Sequence, residues 1–148
     1  MTIRKSITVS RSPADAFRKF TDGIGKWWPL KEGFAFGGDR TQDMFLESKV
    51  GGRLYERFHD GGEYEIGRVT RCDPPNLIAF TWKAHAWDGV TEVEVRFVPE
   101  GSATRVELEH RGWEVSAKVG KERKSHDDGW DFVLEHYARR DEPVSAPK

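Results

Sequence analysis

Two histidines stand where they could do chemistry. His110 ends the row Val106, Leu108, His110 in an alternating segment and precedes Gly112-Trp113, so its ring points inward with the apolar residues. A buried imidazole needs a hydrogen-bond partner, and its pKa of about 6.5 suits it to act as donor, general acid or general base. His126 lies one turn before Trp130 in a helical pattern and could reach the same space. The pair would then form a polar end to an apolar pocket, an arrangement that orients a ligand. Plainer readings stand beside these: a structural His110 bonded to a neighbouring strand or loop, and a His126 exposed in a first helical turn. His59 and His136 read as solvated, and His85 sits in a loop with Trp87.

Other chemistry is sparse. There is no Gly-x-Ser-x-Gly elbow, no His-Glu-x-x-His, no phosphate-binding glycine loop and no cysteine pair. Cys72 beside Asp73-Pro74-Pro75 reads as a buried structural thiol. Neither a metal site nor a cofactor is expected, and enzyme status stays open.

The element that must position these residues is the pattern 126–140. Trp130, Val133, Leu134 and Tyr137 recur at helical spacing, Ser125 with Asp128 forms a capping-box-like start, and Arg139 and Arg140 suit the C-terminal end. Phe132 falls off the stripe, which calls for cover by a loop or a second subunit. Upstream, Ile3 to Ser10 alternates as a strand, Ser12-Pro13-Ala14-Asp15 opens a helix, and Ile24 to Trp28 forms a short helical piece ended by Pro29. Gly33, Gly37 and Gly38 with Phe34 and Phe36 make an aromatic loop near Trp27 and Trp28. Strands are expected at 42–49, 52–59, 62–72, 76–84, 90–98 and 103–111, separated by Gly-, Asp- and Pro-rich turns. Segment 52–59 is ambiguous, because Leu54 and Phe58 share a side with Glu56. The reading is α+β, with helices on one face of an antiparallel sheet of about seven strands. One domain spans 1–141, and 142–148 is expected to be a flexible tail.

Composition narrows the partners. Of 148 residues 33% are charged, and the net charge is -1, which argues against a nucleic-acid or anionic-membrane surface. No apolar run approaches the ~20 residues of a membrane span, there is no signal-peptide pattern, and one lone cysteine fits a reducing compartment, so a cytoplasmic location is expected. Six Trp and nine Phe in so polar a chain are enough to wall a pocket as well as fill a core.

Several motifs appear in a familiar order: Ser12-Pro13-Ala14-Asp15-Ala16-Phe17, Trp27-Trp28-Pro29, Gly51-Gly52-Arg53, Gly67-Arg68-Val69, Phe80-Thr81-Trp82, the run Thr104 to Trp113, and Gly129-Trp130. The series resembles the helix-grip proteins of the START/polyketide-cyclase/birch-pollen-allergen superfamily (SRPBCC), within it the bacterial branch named after the activator of the heat-shock-protein-90 ATPase. That resemblance spans about residues 3–140. It implies a curved sheet wrapped around the long C-terminal helix, two short helices after the first strand, and an apolar cavity between sheet and helix. Such domains include carriers, cyclases, hydrolase-like enzymes and co-chaperones, so the fold narrows function weakly.

The leading expectation is an apolar or aromatic small molecule bound in that cavity. Its candidate walls are Trp28, Phe80, Trp82, Val95, Leu108, His110, Trp113, His126, Trp130, Val133, Leu134 and Tyr137. The alternatives are a cyclase- or hydrolase-type enzyme using His110, and a chaperone-associated interaction domain. A homodimer is left open by Phe132 and the Phe34–Phe36 loop.

Overall fold

The computed structural model describes residues 2–139; Arg140 and the expected tail 142–148 lie outside the described residues. Seven antiparallel strands form one curled sheet in the order β1-β7-β6-β5-β4-β3-β2. They are β1 (Ile3–Val9), β2 (Thr41–Leu46), β3 (Arg53–Phe58), β4 (Glu63–Asp73), β5 (Leu77–Trp82), β6 (Thr91–Glu100) and β7 (Ala103–Arg111). Helices α1 (Pro13–Phe20) and α2 (Ile24–Trp27) follow β1, while α3 (Ala117–Gly120) and α4 (Arg123–Arg139) follow β7.

Alternation explains the two faces. Register pairs Val93 with His110, Val95 with Leu108 and Phe97 with Val106, and all six are buried on the inner side. On the outer side Arg111 bridges Glu92 and Glu94 at 2.8 Å each, and Arg96 reaches Glu94 at 2.5 Å, a lattice of partly solvated pairs.

The stripe of α4 is buried as its spacing requires: Trp130, Val133, Leu134 and Tyr137 all lie in the core. Tyr137 stands edge-on to Trp27 at 4.9 Å and to Phe20 at 5.6 Å, and its hydroxyl donates to the Ala16 carbonyl at 2.8 Å. So α1 and α2 are clamped onto the C-terminal half of α4. Lys5 of β1 ties the other half down through Asp127 at 2.6 Å and Asp131 at 3.0 Å.

Two expectations about α4 are corrected. The helix starts at Arg123, so Ser125 is no cap; its hydroxyl donates back to the Glu122 carbonyl at 2.9 Å. The additional turn forms because the same carbonyl also takes the His126 backbone N–H at 3.1 Å. His136, expected in solvent, is 3% exposed. The loop after α2 folds over it, bringing Glu32 Oε2 to 3.3 Å from Nε2, while Nδ1 lies 3.1 Å from the Phe132 carbonyl.

Candidate functional site

Between the β2–β5 half of the sheet and the start of α4 lies a cavity of about 190 Å3. Trp28, Phe34, Phe36, Trp82 and Trp130 supply its rings, and Met44, Ile66 and Val133 its aliphatic walls. Gly33, Ala35, Gly129, Ser125, His126 and Glu56 complete it.

The loop 29–38 forms one wall and is held at several points. Trp28 Nε1 donates to the Phe34 carbonyl at 2.8 Å. Phe34 stacks on Phe132 with centroids 5.0 Å apart and planes within 13°, so the off-stripe Phe132 is covered by its own chain. Gly129 permits this approach, since a Cβ there would stand 3.3 Å from the Phe34 ring. Phe36 packs beside Tyr64 and Trp82 at 5.2 and 5.7 Å.

Glu56 anchors the loop from below. It is 1% exposed, and its Oε2 accepts from Phe36 N–H at 2.6 Å. Oε1 accepts from Gly37 N–H at 2.9 Å and from the Thr41 hydroxyl at 2.8 Å. A Cβ at Gly37 would meet the Phe58 ring at 2.4 Å and Thr41 Oγ1 at 2.5 Å, so only glycine lets the loop sit this low.

The two histidines have separate fates. His126 lines the cavity, with Nδ1 donating to the Glu122 carbonyl at 2.9 Å and Nε2 accepting from Trp82 Nε1 at 3.2 Å. His110 lies deeper, 0% exposed and behind Trp130 and Trp82. Its Nδ1 accepts from Trp130 Nε1 at 2.9 Å, so Nε2 carries the proton and donates to Thr91 Oγ1 at 2.7 Å. Thr91 in turn donates to the Trp82 carbonyl at 3.0 Å. Each group in this chain is satisfied. The rings of the two histidines are 5.7 Å apart, but only His126 meets the cavity, so His110 is not its polar end.

Burial, and secondarily the charge of His126, pushes His110 down to about 2; burial likewise lowers His126. An unfolded imidazole takes a proton near pH ~6.5 and these two do not, so stability is fully present above that pH and falls as pH drops below it. Between about pH 6 and 5, the slope of unfolding free energy against pH should be steeper in the wild type than in His110→Gln by up to about 1.4 kcal/mol per unit. Urea titrations at stepped pH read this; parallel slopes would contradict a neutral buried His110.

Of the twelve residues expected to line a pocket, the fold brings Trp28, Trp82, His126, Trp130 and Val133 to the cavity. Phe80, Val95, Leu108, Trp113, Leu134 and Tyr137 are instead close-packed core, and His110 joins them. Sequence reasoning missed Phe34, Phe36, Met44, Glu56, Ile66, Ser125 and the small residues of the walls. One signal was present for Glu56, its shared parity with Leu54 and Phe58. Cys72 is half-buried at the end of β4, where burial raises its pKa.

A long helix gripped by a curled sheet, with a cavity at one end, meets a match in known proteins. The family model described as "Activator of Hsp90 ATPase homolog 1-like protein" matches residues 10–138. The chain belongs to that family. Among solved members of this fold, protein MLL2253 from Mesorhizobium loti is 18% identical, with 99% of this chain and 100% of that one covered at a TM-score of 0.73. The Aha1 dimer from Colwellia psychrerythraea is 22% identical, with 99% of each chain covered and a TM-score of 0.70. An anthrahydroquino-gamma-pyrone synthase, Txn09, is 38% identical over 74% of this chain and 75% of its own, at a TM-score of 0.53. A comparison with curated proteins finds no match. The family fold supports a ligand-binding domain. Among the described residues no helix is long and apolar enough to cross a membrane, and no group of three or more His, Cys, Asp or Glu is placed to hold a metal ion.

Proposed function

We propose that this domain binds a small apolar or aromatic molecule in the cavity between the sheet and the N-terminal half of α4. The observation that carries the reading is the convergence of five aromatic rings on one space: Trp28 from the C-cap of α2, two from the 29–38 loop, and one each from β5 and α4. Its volume of about 190 Å3 compares with the roughly 150 Å3 of an apolar cavity that admits benzene, so a ligand of one or two rings fits.

The alternative of acid–base catalysis by His110 is not favoured. Both its ring nitrogens are taken up inside the protein, and Trp130 stands between it and the cavity. Chaperone contact rests on the family name alone. A solved relative is described as a dimer, but Phe132, a reason to look for a second copy here, already has Phe34 on it.

Three tryptophans line the cavity, so intrinsic fluorescence reports occupancy. Titration with benzene-sized neutral probes such as toluene should give saturable quenching, and native mass spectrometry of protein purified from cells should reveal a retained small molecule. Fluorescence unchanged by every probe, together with a clean apo mass, would sink the proposal.

A further inference from the structure

The cavity is aromatic, yet its polarity is one-sided. Every side-chain donor in its lining is already spent within the protein. Trp28 donates to the Phe34 carbonyl, Trp82 to His126 Nε2, Trp130 to His110 Nδ1, and Ser125 and His126 Nδ1 both to the Glu122 carbonyl. Among the described residues no lysine or arginine lines it. An anion or a bare carbonyl entering this space would lose its water and find no side-chain donor in return.

The acceptor side is different. A carboxylate offers about four lone-pair sites, and Glu56 has three of them filled: two on Oε1 and one on Oε2. Its bonded donors are two backbone N–H groups and a hydroxyl, all neutral, so its charge is solvated but not cancelled. His126 adds no opposing charge at neutral pH, because burial holds it below the usual imidazole range. Burial, and secondarily the field of Glu56, also raises the pKa of neighbouring Tyr64. A buried carboxylate with one acceptor site unfilled is thus among the residues that border a space walled by Trp and Phe rings, whose faces attract cations.

We propose that the cavity selects cationic ligands, namely small aromatic or alkyl amines whose ammonium group meets Glu56 while the apolar part fills the ring of Trp28, Phe36, Trp82 and Trp130. The selectivity rests on the reading of the cavity as a ligand site and adds to it the sign of the ligand's charge.

The test uses three probes of one shape and different charge: phenethylammonium, phenethyl alcohol and phenylacetate, titrated at neutral pH with tryptophan fluorescence, beside uncharged toluene. The ammonium should bind at least about tenfold tighter than the alcohol, and phenylacetate should bind weakest. In Glu56→Gln the ammonium advantage should shrink to within about threefold. If that variant fails to fold because the loop loses its anchor, the wild-type ranking decides alone. Equal binding of ammonium and alcohol, or tighter binding of phenylacetate, overturns the charge selectivity while leaving the ligand site standing. Saturation by none of the four overturns both.

Discussion

Replacing His110 with phenylalanine should lower stability by about 2–4 kcal/mol while leaving the cavity able to bind uncharged probes at temperatures where the variant is folded. The substitution keeps a planar aromatic ring, slightly larger than imidazole, so the main loss comes from polar groups, with some crowding added. Trp130 Nε1–H, buried in the core, would have no acceptor, and Thr91 Oγ1 would lose its imidazole donor. An unmade buried hydrogen bond costs about 1–3 kcal/mol, and here two groups are affected, although Thr91 keeps the Trp82 carbonyl. Denaturant unfolding measures it. A loss under about 1 kcal/mol would show that this chain of bonds is not what fixes α4 on β7.

Trp130→Ala should be costlier, about 3–5 kcal/mol from the lost ring, plus the orphaned His110 Nδ1. Trp130 is 3% exposed and touches Trp28 edge-on at 5.8 Å and Trp82 at 5.7 Å, so its removal opens the cavity into the core. Trp130→Phe separates the two contributions by keeping a ring and deleting the donor. Combined with His110→Phe it should destabilise by less than the sum of the single changes, since the bond can be lost only once. Strict additivity in that double-mutant cycle would refute a direct Trp130–His110 bond as a stabilising contact. Both changes are best read alongside probe binding: Trp130 walls the cavity and His110 does not.

Much of the scaffold was legible because it is periodic. The α4 stripe and the alternation of Val93, Val95, Phe97 with Val106, Leu108, His110 state which side each residue takes, and they hold. What parity cannot state is depth. His110 points inward as read, yet Trp130 lies between it and the cavity, a relation made by residues 20 positions apart. Glu56 obeyed its parity with Leu54 and Phe58; its significance came from Phe36 and Gly37, which reach it from a loop with no period. His136 was misread for the same reason, since Glu32 arrives from that loop. Capping chemistry at Ser125 was overridden by a carbonyl one turn earlier.

The strand order has a consequence for how the chain assembles. β2 to β7 each pair with their neighbours in sequence, but β1 pairs only with β7, Ile3 opposite His110 and Val9 opposite Thr104. During synthesis β1 must therefore wait, its apolar row unpaired, until residue 110 has been made, and loop-closure entropy makes its docking a late step. Once β7 is made and until β1 docks, the β7 edge is equally open. Two nascent or refolding copies can then exchange β1 strands, and a dimer fraction that rises with refolding concentration and does not re-equilibrate on dilution would be its signature.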